Sequence, residues 1–147
     1  MKLKIAWIGK TKEPAIQSLT DEYLKRLARY SPTEGITLKD ETALLALARG
    51  NSRTPKHALV VLDSRGKQLS SEDLAQFIGD YRDRNPLPLL FAIGPANGFS
   101  DQARKAATLR LSLGNMTLAH ELARVVLLEQ LYRAFTILKG HPYHLGH

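Results

Sequence analysis

The chain has 147 residues, 44% of them hydrophobic, which is enough for one domain with a sizeable core. It contains no cysteine, which excludes disulfides, thiolate metal ligands and a cysteine nucleophile. Its 21 Lys and Arg residues outnumber its 14 Asp and Glu residues, and the resulting net charge of +7 favours a polyanionic partner such as nucleic acid.

No membrane span or targeting segment is predicted. No stretch reaches the roughly 20 apolar residues that cross a bilayer. The N-terminal "MKLKIAWIGK" has a short apolar run interrupted by Lys4, which is typical of a first strand and not of a signal peptide. We therefore expect a cytoplasmic protein with a single domain over residues 1–147.

In chain order, apolar runs of strand length alternate with stretches of helical periodicity. Strands are predicted over 3–9, 36–40 (a weak edge strand), 57–64, 86–94 and within 108–116. Helices are predicted over 20–31 with Thr20 as N-cap, 41–51 ending at Gly50, 70–84 with a Ser cap, 100–107, and about 118–139 with Thr117 as a cap. This alternation predicts an α/β fold with a mostly parallel sheet and helices on both faces.

In such sheets, ligands bind at the carboxyl ends of the strands. The loops of interest therefore follow Ile8, Leu62, Ile93 and Leu113. "GKT" at 9–11 is not a phosphate-binding P-loop, because that motif requires glycine at position 4, which is lysine. "GPANG" at 94–98 lacks G-x-G-x-x-G, so no nicotinamide fingerprint is present.

Two loops have alternative interpretations. "GPANG" is either a tight turn or a segment held close to a flat ligand, since Gly94 has no side chain to obstruct it. In "LSLGNMTLAHE" (111–121), free backbone groups around Gly114 and Asn115 could bind an adenine edge. Leu113, Met116 and Leu118 could then enclose the ring. The alternative is an ordinary short connection.

The last helix is apolar over more than one stripe. Its apolar residues are Leu122, Val125, Val126, Leu127, Leu128, Leu131, Tyr132, Phe135, Ile137 and Leu138. A helix at the end of a small domain normally keeps one polar face. Burial on two sides therefore predicts a second subunit.

Several stretches closely resemble the ribosomal RNA large subunit methyltransferase H family, of the SPOUT class of knotted methyltransferases. They are "EYLKR" (22–26), "VLDSRGKQLSSEDLA", "LLFAIGPANGFS" and "LSLGNMTLAHELARVVLLEQLYRAFTILKGHPYH", and the resemblance spans nearly the whole chain. It implies a C-terminal trefoil knot, which pattern reasoning would not propose. It also implies a homodimer, S-adenosyl-L-methionine as cofactor, and N3-methylation of pseudouridine 1915 in helix 69 of the 23S rRNA on the assembled ribosome.

The resemblance also implies the site residues. The positions that match the cofactor site are Leu62, Gly94, Leu113, Gly114, Asn115, Met116, Thr117 and Leu118. The family usually has a second glycine after Gly94, but this chain has Pro95, which removes a backbone donor.

The resemblance places "HPYH" (141–144) at the active site, where Tyr143 would stack on or hydrogen-bond the target base. His144 would orient the base or accept its proton. His120 and Arg133 would bind RNA phosphate or fix the tail. Alternatively, His120 satisfies a helix N-terminus and Arg133 pairs with Glu129 four residues earlier.

His141, His144 and His147 are not expected to bind a metal, because Pro142 breaks any helical face that they could share. His147 lies beyond the family motif, and we expect no role for it. Two other functions stay open: a non-catalytic basic RNA-binding module of the same fold, and a SPOUT methyltransferase acting on another RNA. Calorimetry with S-adenosyl-L-methionine separates the first of these from an enzyme.

Overall fold

The computed structural model describes residues 1–145, with side chains described for residues 1–143. Five strands and five helices alternate over this part of the chain, followed by a 3-10 turn at Pro142–Leu145. The strands are β1 (Leu3–Ile8), β2 (Thr33–Leu38), β3 (Ala58–Gln68), β4 (Leu89–Ile93) and β5 (Leu109–Ser112). The helices are α1 (Pro14–Ala28), α2 (Glu41–Arg49), α3 (Ser71–Arg84), α4 (Asp101–Ala106) and α5 (His120–Lys139).

The five strands form one sheet in the order β2-β1-β4-β3-β5, and every neighbouring pair is parallel. Alternate residues of the strands point to opposite faces, so the sheet has a core on each side. One core joins Ile5 and Phe91 to α1, α3 and α5, and the other joins Ala6 and Ala92 to α2 and α4. The predicted α/β class with helices on both faces is confirmed. The knot, which concerns the threading of the chain, stays a prediction.

Two predicted helix caps are wrong. Helix α1 begins at Pro14, whose fixed φ suits a first helical position. Thr20 is therefore buried in the middle of this helix, and its hydroxyl donates to the carbonyl of Ile16 at 2.7 Å. Helix α5 begins only at His120 and has no side-chain cap, because Thr117 still belongs to the exposed connection that precedes the helix.

Other local predictions are confirmed. The hydroxyl of Ser70 accepts from the backbone N–H of Asp73 at 3.0 Å and caps α3. Gly50 ends α2 with a φ of 70°, a conformation that favours glycine. None of the helices within residues 1–145 is long and apolar enough to cross a membrane.

Strand β3 is longer than predicted and carries an irregularity. Both Leu62 and Lys67 are register partners of Leu111 on β5, so the intervening residues 63–66 leave the ladder. A Cβ on Gly66 would lie 2.6 Å from the backbone carbonyl of Arg110, so only glycine allows this close approach. We call residues 63–66 the β3 excursion.

Candidate functional site

Leu62 with the adjoining β3 excursion, the carboxyl end of β4 and the connection from β5 to α5 enclose a cavity of about 170 Å³. Seven of the eight residues predicted to bind the cofactor line it, namely Leu62, Gly94, Leu113, Gly114, Met116, Thr117 and Leu118. His120, from the catalytic prediction, also lines it. Asn115 is not among the lining residues. Three loops far apart in sequence thus meet where parallel-sheet topology places a ligand.

The "GPANG" segment forms a tight turn and also walls the cavity. The backbone N–H of Gly98 donates to the carbonyl of Pro95 at 2.9 Å, and Gly98 has a φ of 83°. Gly94 is buried, and a Cβ there would lie 3.0 Å from the ring of Phe99. The tight-turn interpretation is confirmed, and the missing side chain of Gly94 makes room for Phe99. Close approach of this backbone to a flat ligand stays a prediction.

The loop after β5 is held by its own side-chain hydrogen bonds. The hydroxyl of Ser112 accepts from the N–H of Gly114 at 3.1 Å and lies 3.0 Å from the carbonyl oxygen of the same residue. The amide nitrogen of Gln68 donates to the side-chain oxygen of Asn115 at 2.5 Å. Asn115 thus fixes the loop to the end of β3. Met116, in contrast, is 86% exposed at the mouth of the cavity.

Sequence reasoning missed Asp63 and Ser64, which also line the cavity. They directly follow Leu62, so their position at a strand end was a usable signal. One carboxylate oxygen of Asp63 accepts from the backbone N–H of Arg65 at 3.0 Å, and the other accepts from Nε of Arg104 at 3.1 Å. The negative charge of Asp63 is therefore paired.

The first turn of α5 is fixed to the loop between β1 and α1. The Glu121 carboxylate accepts from the backbone N–H groups of Lys12 at 3.0 Å and Glu13 at 3.3 Å, at the N-terminus of α1. Arg124 is buried, and its Nη1 donates to the hydroxyl of Thr11 at 2.7 Å. These bonds hold the first turn of α5 in place, and this turn positions His120 in the cavity wall. Helical periodicity does not predict these bonds.

Residues 141–143 fold back on α1 and α5. The ring of Tyr143 lies 4.8 Å from that of Tyr132, edge to face, and the Arg133 guanidinium lies 5.0 Å from the Tyr143 ring centroid. Burial, followed by a hydrogen bond with Tyr23, raises the pKa of Tyr143 to about 12. Tyr143 therefore keeps its proton at neutral pH and can donate a hydrogen bond, but cannot act as a base.

Arg133 makes the ion pair that sequence spacing offered as an alternative. Its Nη2 lies 2.5 Å from Oε1 of Glu129, and this hydrogen bond raises the pKa of Arg133. His141 is also engaged, since its Nδ1 lies 2.5 Å from the hydroxyl of Tyr30. No group of three or more potential metal-ligating side chains occurs among the described residues.

Within one chain, the four predicted catalytic residues do not all come together. Tyr143 contacts Tyr132, which lies twelve residues beyond His120 on α5, or about 18 Å along the axis at 1.5 Å per residue. Arg133 lies one residue further still. The side chain of His144, and all of His147, lie outside the part of the molecule described. His120 at the cavity and Tyr143 with Arg133 thus form two separate groups.

The fold and the cavity define an α/β protein with a cavity at the carboxyl edge of its parallel sheet. A family model described as "Predicted SPOUT methyltransferase" matches residues 1–144. A solved structure of the putative methyltransferase Lpg2936 from Legionella pneumophila, in complex with bound SAM, aligns with a TM-score of 0.50. The alignment covers 91% of this chain and 66% of that one at 16% identity, so it concerns the fold alone.

Curated relatives place the chain more narrowly. A ribosomal RNA large subunit methyltransferase H from Koribacter versatilis is 60% identical over the full length of both chains. A protein of the same name from Geobacter metallireducens is 46% identical over 98% of this chain and 99% of its own. The chain therefore belongs to the ribosomal RNA large subunit methyltransferase H family of SPOUT methyltransferases.

Proposed function

We propose that this chain is an S-adenosyl-L-methionine-dependent rRNA methyltransferase. Its target is N3 of pseudouridine 1915 in helix 69 of the 23S rRNA, and it acts as a cytoplasmic homodimer on the assembled ribosome. The observation that carries the proposal is the cavity itself, where seven of the eight residues matched to a cofactor site converge from three loops. The names of the curated relatives support the rRNA substrate class.

The cavity suits an adenosine-like group. Leu62, Leu113 and Leu118 supply apolar surface for a flat ring. The backbone at Gly114 is open to a ligand, because even a Cβ there would meet nothing within 4 Å, and Gly94 adds further backbone to the wall. Binding sites of this kind are mostly apolar with a few fixed polar groups. When bound, S-adenosyl-L-methionine supplies a methyl group activated by a positively charged sulfur.

The chain itself must position the base and remove its N3 proton. His120 lines the cavity and is one candidate acceptor, since histidine is the usual general base near neutrality. His144 is the other candidate implied by the family. Tyr143, with its pKa raised to about 12, serves as a hydrogen-bond donor or a stacking surface for the base.

A second copy of the chain would complete the site. Leu122 is 46% exposed on the outer face of α5, and Val125 and Val126 on the same helix are only half-buried. Apolar side chains left on one face of a helix favour a twofold contact between copies. Such a contact would bring Arg133 and Tyr143 of one chain towards the cavity and His120 of the other. Within a single chain these two groups are too far apart to act together.

Cations beside the cavity support RNA as the substrate. Arg65 in the β3 excursion, Lys67 on β3 and Arg110 on β5 are all exposed. None of the three forms an ion pair with any side chain described in residues 1–143. Unpaired Lys and Arg side chains on one edge are suited to backbone phosphates, which position a nucleic acid without reading its sequence.

The decisive experiment is mass spectrometry of helix 69 from cells lacking this protein. We expect pseudouridine without its N3-methyl group, and return of the methyl group when the wild-type gene is restored. A helix 69 that stays methylated would contradict the proposal. Calorimetry of the purified protein with S-adenosyl-L-methionine should show binding, and the absence of heat would instead indicate a non-catalytic RNA-binding module.

A further inference from the structure

A second cavity, of about 330 Å³, lies beside the first. The two share Leu111, Leu113 and Gly114 in their walls. The remaining lining comes from the end of β3, the start of α3 and the middle of α5, and includes Gln68, Ser71, Leu74, Val126 and Gln130. The volume falls within the roughly 300–1,000 Å³ typical of small-molecule sites. The loop around Gly114 therefore has a cavity on either side.

The second cavity is lined by hydrogen-bonding groups without charge. No Asp, Glu, Lys, Arg or His lines it among the side chains described. The hydroxyl of Ser71 donates to Oε1 of Gln130 at 2.6 Å, and Gln68 donates through Nε2 to Asn115 at 2.5 Å. These bonds leave Oε1 of Gln68 as an acceptor and give Gln130 an Nε2 group with two N–H donors, one of them directed to Glu129 at 3.3 Å.

This chemistry selects among the groups that a methyl-transfer site must hold. The amino-acid end of the cofactor carries an ammonium and a carboxylate, and a phosphate carries negative charge. Burying such groups without charged partners is costly. A neutral pyrimidine, in contrast, presents carbonyl acceptors and N–H donors at its edge and apolar faces. Leu74 and Val126 provide apolar contacts for such faces.

At Gly114 the wall that the two cavities share consists of backbone alone. Gly114 has a φ of 136°, and a Cβ placed there would meet nothing within 4 Å. No side chain at this position separates the two spaces. A group bound in the first cavity and a base bound in the second could therefore approach each other over the Gly114 backbone.

We propose that the second cavity binds the acceptor base, a neutral uracil-type pyrimidine, with Gln68 and Gln130 as its hydrogen-bonding partners. This inference rests on the proposed function and deepens it. A C-linked uracil has a second ring N–H that uridine lacks, and Oε1 of Gln68 is an acceptor for it. Gln68 is therefore a specificity-determining residue for the C-linked isomer, and Gln130 is a donor to a base carbonyl.

The test compares three variants of similar side-chain length: Gln68→Met, Gln130→Met and the control Gln76→Met. Gln76 lies on the exposed side of α3 and, among the side chains described, bonds only to Asp80. Each protein is measured for S-adenosyl-L-methionine affinity by calorimetry and for kcat/KM on ribosomes lacking the methyl group. We expect unchanged cofactor affinity in Gln130→Met and Gln76→Met, whereas Gln68→Met also removes the bond that holds Asn115 in the cofactor loop and should weaken cofactor binding slightly. Methylation should fall by about tenfold or more in the two cavity variants, each of which loses one or more hydrogen bonds, and stay normal in the control.

A second arm uses ribosomes that carry uridine in place of pseudouridine at the target. The wild-type protein should prefer pseudouridine, and Gln68→Met should lose most of that preference. If cofactor affinity falls in parallel with methylation in Gln130→Met, whose side chain bonds to Ser71 and Glu129 and not to the cofactor loop, the cavity holds part of the cofactor and the inference is wrong. Unchanged methylation in both cavity variants would also overturn it. A wild-type protein that methylates no ribosomes would instead contradict the proposed function.

Discussion

The Arg124 guanidinium lies 4.2 Å from the centroid of the Trp7 ring, and only 1% of Arg124 is exposed. Burial lowers the pKa of Arg124, an effect that the Glu121 carboxylate partly offsets. Trp7 and Thr11 are its direct contacts, and no carboxylate forms an ion pair with it among the described side chains. The face of an indole ring therefore supplies much of the stabilisation of a buried charge.

This relationship predicts an asymmetry between two variants. Trp7→Leu should lower the free energy of unfolding by about 3–5 kcal/mol, because it leaves a cavity and an uncompensated buried charge. Arg124→Met should cost clearly less, because an apolar side chain of similar length replaces the charge that needed the ring. Urea denaturation of both variants measures the difference. Equal costs would show that Trp7 acts only through its volume.

The burial of His57 predicts that the protein loses stability in mild acid. It is 2% exposed, and neither ring nitrogen has a hydrogen-bond partner among the described residues. Burial, followed by the charge of Lys4, lowers its pKa below the ordinary 6.5. The unfolded chain therefore binds this proton more readily than the folded one. The folded protein is therefore not penalised by His57 above pH 6.5, where the side chain is neutral in both states. Its free energy of unfolding falls as the pH drops from 6.5 towards the lower pKa that His57 has in the folded protein.

The matched variant is His57→Leu, which fills the same buried position without a titratable group. Urea denaturation at pH 7.5 and pH 5 should show a smaller loss of stability in the variant than in the wild-type protein. If the free energy of unfolding changed equally with pH in both proteins, His57 would not contribute to the pH dependence of stability.

Gly94→Val should abolish binding of S-adenosyl-L-methionine while leaving the protein folded. The added side chain must share space with the cavity and with the Phe99 ring, since even a Cβ would lie 3.0 Å from it. Gly94→Ala is a milder test, and its defect should be partly relieved by Phe99→Leu, which makes room. Calorimetry measures cofactor binding, and circular dichroism checks the fold. Normal binding by Gly94→Val would place the cofactor elsewhere.

Tyr143→Ala should lose most of the methylation activity without losing cofactor binding. Removing a stacking platform for a base costs about 1–3 kcal/mol. Tyr143→Phe should keep much of the activity and the same pH profile between pH 6 and 9, because a hydroxyl with a pKa of about 12 does not act as a base. His147→Ala should behave as wild type. A Tyr143→Phe variant with a shifted pH profile would show that the phenol titrates in catalysis.

Deletion of residues 141–147 should also abolish methylation, but it is a less specific test. His141 bonds to Tyr30, and Tyr143 covers Tyr132, so the deletion exposes part of the aromatic cluster on α1 and α5. A sharper test of the shared site mixes Gly94→Val and Tyr143→Ala chains. Mixed dimers should regain activity, because one intact cavity can face one intact tail. No recovery in mixed dimers would indicate a site built within a single chain.

Sheet topology predicted three of the four loops correctly, since the loops after Leu62, Ile93 and Leu113 line the cavity and the loop after Ile8 does not. Runs of buried strand residues ending at Leu62, Ile93 and Leu113 specify which loops share an edge, and glycines mark where backbone comes close. The caps were harder to predict. Threonine is a common N-cap residue, and acidic residues follow Thr20, but the helix already begins at Pro14 and Thr20 lies inside it.

The long-range polar contacts could not be predicted from the sequence. Arg124 sits among apolar residues at a helical spacing that suggests an exposed cation, and its burial depends on Trp7, a residue more than a hundred positions away. Helical periodicity also cannot predict that Tyr143 packs against α5, because the helix ends at Gly140 and the pattern does not continue beyond it. Family resemblance named Tyr143 and Arg133, and only the three-dimensional arrangement shows that they are distant from His120 in the same chain.

The fastening of α5 to the loop after β1 has a consequence for biosynthesis. Glu121 and Arg124 bind Lys12, Glu13 and Thr11 across 108 to 113 positions of the chain. A nascent chain therefore cannot fasten its first loop until Arg124 has left the exit tunnel, and contacts this distant in sequence form late. The cavity walls likewise end at Ala123. A chain synthesised only as far as β4 or β5 thus has no complete cavity, and the cavity closes only after the first turn of α5 has emerged.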